Sequence, residues 1–197
     1  ALGINTPGDI IDLLTQHKII RYATYKSQYI LFEGTDVNIE GELLKAAGIV
    51  PRSKDVIDKL LTNFNLPIEF ANASYFRKGT PRYFEYKISD QPIVQQPQDE
   101  IDGFINLIFN EDISLDEILK QTANVEEAIL YAYFKKAEKI IDHVLQLDKL
   151  AYVQNDIDSN DNVAQKELKA LIAHEQELLN TSVLNALFNY NADVVWV

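Results

Sequence analysis

Arg77, Lys78 and Arg82 lie within a run of aromatic residues, Phe70, Tyr75, Phe76, Tyr83, Phe84 and Tyr86, all between Pro67 and Ile88. Side chains of these two kinds bind rather than react. Rings stack on the flat faces of bases, and guanidinium and ammonium groups meet phosphates. Tyr75, Arg77, Lys78, Arg82 and Tyr83 are therefore the candidate binding residues, for a protein partner or for nucleic acid. Ordinary strand composition also produces such a run, since Tyr and Phe are favoured in sheets. No catalytic signature accompanies it.

A second constellation is acidic. Asp156, Asp158 and Asn160, followed by Glu167, resemble the calcium loop of an EF-hand, where they take positions one, three, five and twelve. The resemblance implies calcium held by Asp156, Asp158, Asn160 and Glu167 between two helices. Two positions depart from it: Asp161 stands where the sharp turn takes glycine, and Ala164 stands at position nine. The competing reading is a solvated loop in which Asn160 or Asp161 caps the long helix that follows. The three histidines, His17, His143 and His174, fall on separate helical patterns and read as solvated helix-edge groups. Phosphate-cradling glycine loops, the G-x-S-x-G elbow and H-E-x-x-H are all absent from the sequence, which points to no cofactor.

The elements that must carry these residues follow from pattern. Residues 67–88 read as two strands turning at Lys78-Gly79-Thr80-Pro81, because alternation along Arg82–Ile88 has the period of a half-buried strand. Upstream, Thr6-Pro7-Gly8-Asp9 starts a helix whose Ile10, Ile11, Leu13 and Leu14 form a side to bury. Residues 19–25 and 28–32 follow as a hairpin. Helices are expected over 37–47, ended by Gly48, and from Pro51–Ser53 onward with Val56, Ile57, Leu60, Leu61 and Phe64 on one stripe. Residues 90–99 hold two prolines, four glutamines and no periodicity, and read as a linker (91–99) between subdomains 1–90 and 100–197. Beyond it, strand-like runs at 104–109 and 128–134 alternate with helices starting at Ser114 and Lys135, a pattern for parallel strands. A long helix runs from Asp161 to about Asn189. The expected class is α+β: a helix-plus-hairpin start, a second helix-plus-hairpin block, and a small α/β unit with a long C-terminal helix.

Composition narrows the partners. The 197 residues carry 18 Lys+Arg and 30 Asp+Glu, a net charge of −12. Residues 1–90 hold 11 of each, so residues 91–197 hold 7 and 19, and 7 − 19 accounts for the whole excess. A cationic face for phosphates is available only locally, in the first half. With no cysteine, no apolar run of spanning length and no signal-peptide pattern, the expectation is a cytoplasmic protein that does not enter membranes. A start without methionine and an end inside Val194-Val195-Trp196-Val197 suggest a piece of a longer chain, whose last strand pairs with something.

The order helix, strand, turn, strand over residues 10–34 resembles the end of a winged-helix domain. The ensemble is similar to regions lying C-terminal to the nucleotide-binding core of large bacterial P-loop ATPases. That resemblance implies an accessory, non-catalytic module contacting a protein partner, parent-chain domains or nucleic acid, while another domain handles ATP.

Overall fold

Residues 103–108, Gly-Phe-Ile-Asn-Leu-Ile, have almost no polar face, so a strand made from them must be covered on both sides and paired on both edges. In the computed structural model they form β5 (Gly103–Ile108), buried along its whole length. The structure describes residues 7–23, 27–31, 37–53, 55–159, 161–189 and 193–197. β5 pairs in parallel with β4 (Tyr83–Ser89) on one side and β6 (Ile129–Phe134) on the other. The edges are antiparallel additions: β3 (Glu69–Phe70) on β4 and β7 (Val194–Trp196) on β6, giving the order β3-β4-β5-β6-β7. The C-terminal apolar run thus pairs within this chain, against β6. Mixed helices and strands make the fold α+β.

α5 (Leu115–Thr122) connects β5 to β6, and its start was legible: Ser114 and Glu117 exchange the two hydrogen bonds of a capping box. Beneath it Ile108, Ile113, Ile118, Tyr131 and Tyr133 form one core cluster. A second apolar layer includes Phe134 stacked on Phe109, centroids 4.2 Å apart. At the entry to β5, a Cβ on Gly103 would sit 2.1 Å from the Ala128 carbonyl oxygen, so no larger residue fits without movement.

One polar residue interrupts β5. Asn106 is fully buried, and its amide is satisfied: Oδ1 accepts from the Ile93 N–H at 3.0 Å, and Nδ2 donates to Ser89 Oγ at 2.8 Å. The Tyr131 hydroxyl donates to the Ile93 carbonyl at 2.7 Å. Residues 90–99 have no regular secondary structure, in keeping with their composition, yet they connect two neighbouring strands of one sheet and are tied to it at Ile93.

The chain folds as two compact units, residues 1–50 with 148–174, and residues 51–147 with 175–197. The sheet belongs to the latter. The former holds α1 (Pro7–Gln16), the antiparallel pair β1 (Ile20–Ala23) and β2 (Gln28–Leu31), and α2 (Ile39–Ile49). Its core joins Ile39 and Ala46 of α2 to Leu150 and Val153 of α6 (Glu138–Asp156) and Leu168 of α7 (Asn162–Phe188). The division passes through both long helices, between Leu147 and Asp148 and between His174 and Glu175.

Three expectations are corrected. The first arm of the 67–88 hairpin is mostly helix: only Glu69–Phe70 is strand, and α4 (Asn72–Lys78) follows before Gly79 ends it at φ 70°. Local helix formation wins there because a left-handed glycine and two cations in the last turn stop a helix well. Gly48 lies inside α2, which ends one residue later with the Val50 N–H bonded to the Ala46 carbonyl. No residue of α1 is fully buried: Ile11 and Leu14 are half-buried, while Ile10 and Leu13 of the expected buried side are exposed. The expected Thr6 cap and the Gly34–Asp36 turn lie outside those residues. α3 (Val56–Asn63) forms as expected, with Leu60 buried.

Candidate functional site

α4, β3 and the start of β4 bring the aromatic–basic residues to one surface. Phe70 packs against both Tyr75 and Tyr83 with centroids 5.5 Å apart, and Tyr75 meets Phe76 at 6.0 Å. The rings are far from covered: Phe76 is 83% exposed, Tyr75 44% and Tyr83 39%. Arg77 and Lys78, also exposed, end α4 beside them, where the helix dipole favours positive charge.

Arg82 stands apart from the other two cations. It forms an ion pair with Asp102, whose Oδ2 also accepts the Tyr83 N–H at 2.9 Å. The Asp102 N–H in turn donates to the Tyr83 carbonyl at 2.8 Å. These bonds hold the Asp102 carboxyl below the usual carboxylate range, the Tyr83 amide first and Arg82 second. A depressed carboxyl stabilises the folded chain above its unfolded pKa, and that stabilisation is lost as pH falls through the lower folded value. The expected result is that wild type loses more urea resistance than Asp102→Asn between pH 5 and pH 2.5. Equal losses would mean the contact is electrostatically idle. On the other side of the group, Tyr86 donates to Glu69 Oε1 at 2.8 Å. Burial, with that bond, pushes the phenol pKa up.

A second feature was not anticipated. At the C-terminal ends of β4, β5 and β6 lies a cleft of about 710 Å³. Open parallel sheets usually place ligands at that end of the strands. Phe109 and Phe134 supply apolar lining, and Asp55, Asp90, Glu111 and Glu138 are among its acidic residues. Asp90 opens the stretch of residues 90–99 that reads as a linker, and Glu111 follows the strand-like run at 104–109. Their position just after a strand is the signal that could have flagged them.

Asp158 of the calcium-loop pattern lies between α6 and α7. Asp156 is the last residue of α6. Asp161 caps α7, its Oδ1 accepting the Ala164 N–H at 2.9 Å. Glu167 forms a two-armed ion pair with Arg21 of β1. Asn160 lies outside the described residues. Among those residues no group of three or more His, Asp or Glu is placed to hold a metal ion.

Over 123 aligned residues the chain is 30% identical to UvrABC system protein B of Fusobacterium nucleatum subsp. nucleatum. The match takes in 57% of this chain and 18% of that protein, so the chain corresponds to less than a fifth of the relative's length. No family model matches the chain, and no solved structure does. Among the described residues no helix is long and apolar enough to cross a membrane.

Proposed function

We propose that the chain is an interaction module of a larger bacterial protein, and that Tyr75, Phe76, Tyr83, Arg77 and Lys78 form its contact with a protein partner or another domain of its parent. The partial match to a much longer bacterial protein supports a module of a larger chain. In the parent, ATP would be handled elsewhere, as the resemblance to P-loop ATPases implies. The observation that carries the contact is Phe76, 83% exposed beside three other rings. Exposed aromatic clusters flanked by arginine are the usual anchors of protein interfaces.

The test compares hydrogen exchange of this chain alone with the same residues inside the full product of its gene. Amides of residues 72–83 are expected to exchange more slowly in the longer protein, and unchanged rates there would remove the contact with a parent-chain domain. Phe76→Ala is the companion variant. It is expected to change folding stability by no more than about 0.5 kcal/mol, since little is packed against the ring. The contact itself is expected to weaken by about 2 kcal/mol, roughly 30-fold.

Nucleic acid is the second reading, favoured by the rings beside Arg77 and Lys78. Asp102 offsets Arg82, leaving two cations where strong phosphate binding takes about 6–10 contacts. Two contacts predict a salt slope of only about −1.4 for a single strand. Binding of an oligothymidylate with a much steeper slope would favour this reading over the protein contact.

A further inference from the structure

His143 is not a solvated helix-edge group. It projects from α6 against α7, where Glu175 and Ser182 stand two turns apart on one helical face. His143 Nδ1 lies 2.6 Å from Glu175 Oε1, and Nε2 lies 3.0 Å from Ser182 Oγ. A carboxylate can only accept, so it places the ring proton on Nδ1. In the neutral ring Nε2 is then the acceptor, and the Ser182 hydroxyl donates to it. That is the polarity of an activated nucleophile: hydroxyl, base, and a carboxylate that orients the base.

An interhelical bridge alone would leave the hydroxyl without access to a reactant. Ser182 instead lines a pocket of about 570 Å³, together with Asn185, Asn189, Lys136 and Lys139. Asn189 Nδ2 donates to Asn185 Oδ1 at 2.8 Å, which fixes the Asn185 amide one turn from Ser182 with its own N–H groups left to donate. The Asn185 amide and the Lys136 and Lys139 ammonium groups are donors lining this pocket, which the Glu138 and Asp193 carboxylates share. Mid-helix Ser182 has its backbone N–H committed to the helix, so side chains must fill that role.

We propose that Ser182 is a nucleophile with His143 as its general base and Glu175 as the positioning residue, and that the site hydrolyses small carboxylic esters. Ser182 Oγ attacks the ester carbonyl carbon while its proton passes to Nε2. The carbonyl oxygen takes the negative charge beside Asn185 and Lys139. When the tetrahedral species collapses, the bond to the alkoxy oxygen breaks and His143 returns the proton, so an alcohol leaves and Ser182 is acylated. Water, deprotonated by His143, then releases the carboxylic acid and restores the hydroxyl. Water is the only co-reactant, and no redox change occurs.

The 197-residue chain is treated with a fluorophosphonate probe and the adduct located by tandem mass spectrometry. The expected adduct is on Ser182 and not on Ser159, an exposed serine with no histidine bonded to it among the described residues. His143→Ala is expected to slow labelling about 100-fold with the circular dichroism spectrum retained. His143→Gln, which keeps a polar bridge, is expected to be equally slow. Glu175→Gln is expected to change the pH profile of labelling, which a merely structural role would leave alone. Hydrolysis of p-nitrophenyl acetate is expected to show a burst that Ser182→Ala abolishes. No Ser182 adduct on the folded wild type, or labelling at equal rates in folded His143→Gln, overturns the proposal.

Discussion

Arg21→Ala is expected to lower the stability of the unit holding β1 and the first half of α7 by about 3 kcal/mol, the lower end for breaking a buried ion pair. Glu167 is 9% exposed and Arg21 28%, so the carboxylate would be left largely without water once its partner is gone. Its Oε1 takes the Arg21 hydrogen bond, while Oε2 faces the other guanidinium nitrogen without one. Truncation would take the guanidinium from both oxygens. Because the chain holds two units, hydrogen exchange of β1 and α7 amides reads this loss more directly than a single global transition. The double variant Arg21→Leu with Glu167→Leu is expected to regain most of the loss, since apolar replacement removes both charges. A loss below about 0.5 kcal/mol in Arg21→Ala would mean that water already solvates Glu167 in the native chain.

Phe134→Ala is expected to cost the sheet-bearing unit about 3–5 kcal/mol, the usual range for removing a buried phenylalanine ring. The ring is fully buried, ends β6 and stacks on Phe109 with planes 18° apart. It also lines the strand-end cleft, so its loss enlarges that space. Urea unfolding is expected to show a lower midpoint with the slope unchanged, and Phe134→Leu is expected to recover most of the difference. A cost under 1 kcal/mol would imply that the cleft wall collapses onto the space the ring leaves.

Much of this architecture was legible because it is local. β5 and β6 read from apolar runs, that of β5 interrupted by Asn106, α5 from Ser114 and Glu117, and the two long helices from apolar residues at helical spacing. The helix at Asn72–Lys78 was misread because Tyr and Phe suggested strand, whereas Gly79 and the two cations before it decide for a helix end. Gly48 carried the opposite lesson: a glycine after a periodic run ends a helix only if the backbone turns left-handed there, and it does not. The aromatic–basic group was legible as a composition. That Asp102 takes up Arg82 was not, since the two are 20 residues apart on different elements.

By itself the sequence determined the α+β class, the order of most elements, the acidic second half and the absence of a phosphate-binding loop. Each of these is set by neighbouring residues, through backbone propensity, capping and periodicity. Tertiary structure alone decided which distant groups meet. It placed Arg21 on Glu167 across 146 residues, His143 between Glu175 and Ser182 across 32 and 39, and the ends of β4, β5 and β6 around one cleft. Spacing along the chain carries no record of such meetings, because they arise when apolar faces bury against one another and bring whatever polar groups lie beside those faces into contact.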